Sequence, residues 1–374
     1  MFLLFLEKVT DFISQFGYPH ETHHVVTEDG YILEMHHIPS TRSLKNRPKG
    51  SVFLMHGLMS SSADWVVTGP EKGLAYILAD AGYDVWLGNA RGNKYSRHHV
   101  SLDPDAEDDH DFWKFSWHEI GTQDLPAMID YVLETTNQRS LSYVGHSQGT
   151  TSFFVMTSER PEYNQKIKSM HALAPVAYIG HCWNPYALAG MPLIIPIENL
   201  DKKYGPREMF PANDDLTKIS NFLCSDENAI RGVCVKLYLA AFGFDPWNTL
   251  IPDIMNNIPA GASSRQFIHY AQLIRNKRFA KYDHGVLDNK DLYNSLVPPN
   301  YDLAQISCPV ALYYGDMDNL ATPQDVKHLS KELPNVLEVY RVPHDRWNHM
   351  DFLWAVNVKK LLYDRVVENI EKYN

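Results

Sequence analysis

The chain has 374 residues, of which 44% are hydrophobic and 21% charged, and a formal net charge of −11 at pH 7. This is the composition of an ordinary globular enzyme, long enough for one large domain with an insertion or for two. The negative balance argues against nucleic acid or an anionic membrane as the main partner, and no apolar run nears the ~18 residues of a transmembrane helix.

Residues 1–6 are apolar and run into Glu7-Lys8 without a basic n-region or a small-residue cleavage site. They read either as the stub of a secretion signal or as the start of a helix. Residues 24–26 and 31–37, split by Glu28-Asp29-Gly30, predict an antiparallel hairpin turning at Asp29-Gly30. Residues 51–55 form a buried strand that ends in His56-Gly57-Leu58. Next comes a helix with Leu74, Ile77, Leu78 and Ala81 on one face and Gly82 as its C′ residue. Residues 84–87 are a further strand, followed by a loop over 88–92. Asp124-Leu125-Pro126 opens a helix, with Asp124 as cap and Leu125, Met128, Ile129, Val132 and Leu133 as its buried stripe.

Residues 141–144 make a short apolar strand, 150–158 a helix, and 170–174 another strand. Strands alternating with helices in this way predict an α/β protein, a mostly parallel central sheet with helices on both faces. The alternation stops over 178–301, a helical, proline-punctuated stretch that reads as an inserted cap or lid between core parts 1–177 and 302–374. Within it, Phe267, Tyr270, Ala271 and Ile274 share one helix face. The sheet resumes with strands at 309–314 and 337–342 around a helix at 325–333, and an amphipathic helix over 352–369 closes the chain. Of the four cysteines, Cys224 and Cys234 are close together, which suggests a small disulfide loop in a secreted chain and two thiols in a cytosolic one. Cys182 and Cys308 fall at opposite edges of the sheet, about 17 Å apart, too far to bridge. No C-x-x-C, H-E-x-x-H or N-x-[ST] occurs, so neither a metal site nor a glycosylation site is assigned.

Chemistry centres on Gly145-His146-Ser147-Gln148-Gly149, between the 141–144 strand and the helix after it. A G-x-S-x-G at a strand-to-helix turn is a nucleophile elbow, although on the order of one chain in ten this long holds the pentapeptide by accident. A serine hydroxyl needs a base, and the base an orienting acid; on such sheets they follow in the order Ser, Asp/Glu, His. The acid belongs after a late strand, where Asp316 and Asp318 both qualify. The base belongs in the loop after the last strand, where His344 and His349 both qualify. Oxyanion donors fall to the backbone N–H groups of Gln148 and Leu58, and His56 reads as a loop-packing residue.

The blocks Val25-Val26-Thr27-Glu28-Asp29-Gly30-Tyr31-Ile32-Leu33, His56-Gly57-Leu58, Ala79-Asp80-Ala81-Gly82-Tyr83-Asp84-Val85-Trp86-Leu87-Gly88-Asn89, Gly145-His146-Ser147-Gln148-Gly149-Thr150, Ala321-Thr322-Pro323-Gln324-Asp325-Val326 and Asn348-His349-Met350-Asp351-Phe352 resemble the acid lipase family. That family comprises gastric lipase, lysosomal acid lipase and insect relatives, and the resemblance runs from about residue 10 to the end. It implies an α/β-hydrolase fold and a Ser147–His349–Asp318 triad, the acid lying in G-x-x-D-x-L-A and the base in N-H-x-D-F. It also implies oxyanion donors at Leu58 and Gln148, a Cys224–Cys234 disulfide, and secretion or lysosomal residence.

The expected function is lipase action on neutral lipid esters, triacylglycerol or steryl esters, at a lipid–water interface without a cofactor. A carboxylesterase for small soluble esters and a silent lipid-binding protein are the alternatives. The apolar stretch 188–197, with Leu193 and Ile194 foremost, is the expected acyl-binding surface.

Overall fold

The structure, a computed structural model, describes residues 8–40, 48–107, 110–212 and 257–374. Cys224 and Cys234, and the N-terminal apolar run, lie outside the described residues. A nine-stranded sheet organises the chain. Its strands are β1 (Glu21–Val26), β2 (Tyr31–Ile38), β3 (Ser51–Met55), β4 (Asp84–Gly88), β5 (His98–His99), β6 (Leu141–His146) and β7 (Ile167–Leu173). A separate ribbon pairs β8 (Glu208–Met209) with β9 (Ala262–Ser263), and the sheet is completed by β10 (Val310–Tyr314) and β11 (Val336–Arg341). The strand order is β1-β2-β4-β3-β6-β7-β10-β11, with β5 beside β2. From β4 to β11 every pairing is parallel, and the β1–β2–β4 pairings are antiparallel.

Every residue of β3, β4, β6 and β10 is buried. A parallel strand covered by helices on both faces must be apolar throughout, which is why Val52-Phe53-Leu54-Met55 is a continuous run rather than an alternation. The hairpin turns at Asp29-Gly30 as expected but begins at Glu21. Its turn is tied to the core by Arg91, which is 2% exposed and holds both carboxylate oxygens of Asp29 at 2.6 and 2.9 Å.

Asp124 does not cap a helix. The helix begins at Trp117, capped by the Ser116 hydroxyl, with Glu119 answering to the Ser116 N–H. This is a capping box, S-x-x-E, that reads directly from Ser116-Trp117-His118-Glu119. The helix then widens into a π turn at Ile120–Asp124 and continues as Leu125–Thr136. Pro126 lacks the N–H that would bond the Thr122 carbonyl. That carbonyl instead accepts from the Arg160 guanidinium at 3.3 Å. Asp124, fully buried, accepts from the Arg91 side chain at 2.6 Å and its backbone N–H at 2.9 Å.

The final helix also differs. It is broken at Ala355, so Asp351–Trp354 stands apart from Lys359–Tyr363 and Asp364–Tyr373.

Between β7 and β10 the described residues form helices Pro185–Tyr204, Ser264–Asn276 and Val286–Tyr293 together with the β8–β9 ribbon. This segment is bonded to loops of the core. The Ala260 N–H donates to the Met59 carbonyl at 2.8 Å, and the N–H groups of Trp183 and Asn184 donate to the Asn319 carbonyl at 3.0 and 3.1 Å. Of the face expected on helix Ser264–Asn276, Ala271 is buried while Phe267, Tyr270 and Ile274 are half-buried, and the helix buries Ile268, His269 and Gln272 instead; the Tyr270 hydroxyl meets Thr151 Oγ1 at 2.9 Å. Cys182 and Cys308 are both free.

Candidate active site

Ser147 sits between β6 and the helix Gln148–Glu159, in the left-handed region at φ 51°, ψ −116°. A non-glycine residue held there costs on the order of 1–3 kcal/mol and persists only where its surroundings enforce it. The two flanking glycines are what the turn requires. A Cβ on Gly149 would lie 2.4 Å from the Met55 carbonyl oxygen, and one on Gly145 would lie 2.8 Å from the Gly149 carbonyl carbon. Strand β3 and the turn could then not pack together.

The loop after β10 carries Asp316 and Asp318, and the structure separates them. Asp316 faces outward and accepts from the Arg341 guanidinium at 2.7 Å. Asp318 is fully buried, and its Oδ1 accepts the N–H groups of Leu320 and Ala321 at 3.0 and 2.8 Å. The two histidines separate in the same way. His344 is half-buried, its Nδ1 accepting from the Arg346 N–H at 3.3 Å. His349 is buried, with Nε2 2.8 Å from Ser147 Oγ and Nδ1 at 2.9 and 3.0 Å from the two Asp318 oxygens. Ser147, His349 and Asp318 thus form one hydrogen-bonded line, while Asp316 and His344 lie off it.

Three supports for this line lie inside the family motifs, but their role shows only in the structure. Gly315 lets the acid loop approach the histidine loop, since a Cβ there would lie 2.4 Å from the Trp347 carbonyl oxygen. That same carbonyl accepts the Met317 N–H at 3.0 Å. Asn348 and Asp351 bond across His349: the Asn348 N–H donates to Asp351 Oδ2 at 3.0 Å, and Asn348 Oδ1 accepts the Met350 N–H at 3.1 Å. His146 is buried within the elbow and lies with Nε2 2.9 Å from the His349 carbonyl oxygen. Burial drives its pKa down to about 3, so it donates there as a neutral ring.

Gln148 is buried at the first position of its helix, and Leu58 follows the β3 loop. Neither backbone N–H has an acceptor among the described residues. His56 is fixed away from the serine. Its Nδ1–H donates to the Gly57 carbonyl at 2.7 Å, and its Nε2 accepts from the Ala90 N–H and the Asn93 amide, both at 3.1 Å. Desolvation lowers its pKa to about 4, as befits a packed neutral ring. Leu193 and Ile194 lie on helix Pro185–Tyr204, the former exposed and the latter half-buried.

Comparison with known proteins agrees with this architecture. A family model described as partial alpha/beta-hydrolase lipase region matches residues 9–69, and one described as alpha/beta hydrolase fold matches residues 50–356. Lipase 1 of Drosophila melanogaster is 45% identical over 372 residues, 98% of this chain and 80% of that protein. Gastric triacylglycerol lipase of Homo sapiens is 37% identical over 371 residues, 98% of this chain and 91% of that protein. Among solved structures, a putative lipase from Sulfolobus solfataricus superposes with a TM-score of 0.64 at 13% identity, covering 95% of this chain and 94% of that one. A soluble variant of monoglyceride lipase from Saccharomyces cerevisiae does so with a TM-score of 0.58 at 16% identity, covering 96% and 98%. At such identities the structures speak for the fold alone, whereas the lipase sequences match along almost the whole chain. The chain belongs to the acid lipase family and is a lipase of the α/β-hydrolase fold.

Proposed function

We propose that this lipase hydrolyses carboxylic esters of neutral lipids, triacylglycerol or steryl esters, with Ser147 as nucleophile, His349 as base and Asp318 as orienting acid. The observation that carries the reading is the Ser147–His349–Asp318 line, at 2.8 and 2.9 Å, ending in a carboxylate with no solvent exposure. His349 Nε2 takes the Ser147 proton as Oγ attacks the ester carbonyl, then returns it to the leaving alcohol. Asp318 holds the Nδ1–H tautomer and stabilises the imidazolium that forms. The N–H groups of Leu58 and Gln148 receive the developing oxyanion, a role supported by their lack of any other acceptor among the described residues. Water then repeats the sequence on the acyl-enzyme. No step calls for a cofactor.

In this reading residues 178–301 are a cap over the carboxyl edge of the sheet. Its support is that the segment bonds to Met59 and Asn319, neighbours of Leu58 and Asp318. Helix Pro185–Tyr204 leaves Leu188, Leu193, Ile195 and Leu200 exposed, an apolar surface suited to a lipid–water interface. The name of the gastric relatives supports secretion.

Ser147→Ala tests the chemistry. The expected result is a folded protein whose kcat on a p-nitrophenyl ester falls by about 10⁴-fold or more. Activity within tenfold of wild type would overturn the assignment.

A further inference from the structure

Outside the active site, one trio among the described residues brings three metal-ligating atoms within 4.8 Å of one another: Glu21, His23 and His37. Strand register explains how. Glu21 stands opposite His37 and His23 opposite Met35, and residues two apart on a strand share a face. Glu21 and His23 therefore project from one side of β1, with His37 facing them from β2. Glu21 Oε2 lies 3.0 Å from His23 Nε2 and 3.0 Å from His37 Nδ1.

The far ring nitrogens are held as well. His37 Nε2 lies 2.7 Å from Asp84 Oδ1, and His23 Nδ1 lies 2.9 Å from the Tyr131 hydroxyl. Asp84 is buried and accepts from the Trp86 indole N–H at 2.7 Å, while the His37 ring stacks on Trp86 at 4.0 Å. An imidazole that bonds an oxygen through one nitrogen and presents the other to a common point is oriented as metal-binding histidines are. A tetrahedral zinc ion with bonds of about 2.0–2.1 Å spaces its ligand atoms ~3.4 Å apart. The Glu21 oxygen is already 3.0 Å from each imidazole nitrogen.

The other face of the same hairpin gives a contrast. Glu34 also lies between two histidines, but it gives Oε2 to His24 at 3.3 Å and Oε1 to His36 at 3.0 Å. Those contacts diverge and share no centre.

We propose that Glu21, His23 and His37 form a binding site for a divalent transition-metal ion, the class represented by Zn²⁺, with water at the fourth position. The ion is structural. It clips β1, at the edge of the sheet, to β2, with β2, β4 and β3 lying between it and the elbow strand β6. A scan for linear motifs misses the site because its ligands come from two strands.

The test is a titration of the metal-stripped full chain with Zn²⁺ by calorimetry and with Co²⁺ by visible absorption. The expected result is one tight equivalent with the absorption bands of tetrahedral Co²⁺ and a Tm that rises with Zn²⁺. His23→Gln and Glu21→Gln should each weaken that equivalent at least tenfold, and Asp84→Asn about 10–100-fold. His24→Gln, on the other face, should leave it unchanged, and ester hydrolysis should stay at wild-type level in the Glu21 and His23 variants. Glu21 is an exposed side chain, so its variant keeps the test decisive if a histidine variant misfolds. Absence of a tight equivalent in wild type, or one that survives both Glu21→Gln and His23→Gln, would overturn the site and leave the trio as a carboxylate shared by two imidazoles.

Discussion

Two aspartates and two histidines compete for each partner role, and burial separates them. Asp318 carries two backbone N–H bonds and lies against the His349 ring, whereas Asp316 spends its charge on Arg341 in solvent. Asp318→Asn should therefore lower kcat by about 10⁴-fold by presenting the wrong partner to Nδ1, while Asp316→Asn should change it by less than threefold. His349→Ala should likewise far exceed His344→Ala. Steady-state kinetics on one soluble ester checks all four variants, and a reversal within either pair would reassign that role. From residue chemistry alone each pair stayed open, because an acidic turn after a strand and one histidine among 18 are both common. The family motifs point to Asp318 and His349, and these are the two that lie buried and bonded to each other.

At the scale of elements, the site depends on close approach between loops remote in sequence. Gly315 stands where a Cβ would meet the Trp347 backbone at 2.4 Å, so Gly315→Ala should push the acid loop away from the histidine loop. A displacement near 1 Å in such a line costs about 10²-fold in rate. The expected outcome is that loss in kcat with KM for a short ester little changed, measured beside a circular dichroism spectrum that reports the fold. Wild-type kcat would show that the loops do not need this contact. The Asp124 correction belongs to the same scale. Pro126 beside it predicts a cap, but Ser116-x-x-Glu119 upstream opens the helix. The carboxylate then lies inside, where Arg91 neutralises it.

For the whole molecule, acid tests the buried histidines. His171 is fully buried between Ser169 and Tyr313 and has its pKa lowered to about 3 by desolvation. The unfolded chain takes up a proton at this residue near pH 6.5 while the folded chain does not. Stability is therefore lost as pH falls below about 6.5. Asp64 acts oppositely: desolvation raises its pKa to about 7, so it favours the folded state in acid and loses that contribution as pH rises toward 7. His171→Gln should gain about 2 kcal/mol at pH 5 relative to its value at pH 8, from 1.36 kcal/mol per unit over the roughly 1.5 units below 6.5. Urea unfolding at both pH values measures it, and equal offsets at the two would refute it. Substrate choice is also decided by the whole molecule. Each buried methylene adds about 0.8 kcal/mol, so a cap of the proposed kind would favour long acyl chains. Replacing Leu193 and Ile194 with Ser should erode the long-chain advantage in kcat/KM severalfold, spare acetyl esters, and reduce the gain from emulsified substrate. A wild type that prefers acetyl esters in free solution would make this a carboxylesterase surface.

The sequence alone determined what depends on neighbours along the chain. The buried runs at β3, β6 and β10 carry their burial in their composition, since a strand covered on both faces has nowhere to place a charge. The elbow is equally local, because its glycines and serine lie within five consecutive residues and the turn they make is short. What only tertiary structure decided depends on residues far apart in sequence. It sorted Asp318 from Asp316 by which oxygen escapes solvent, moved Asp124 from a helix start to the partner of Arg91, and set Gly315 against the backbone of Trp347. It also brought Glu21, His23 and His37 to one point. Strand pairing sets that meeting, and register is fixed by the whole sheet rather than by any stretch of it.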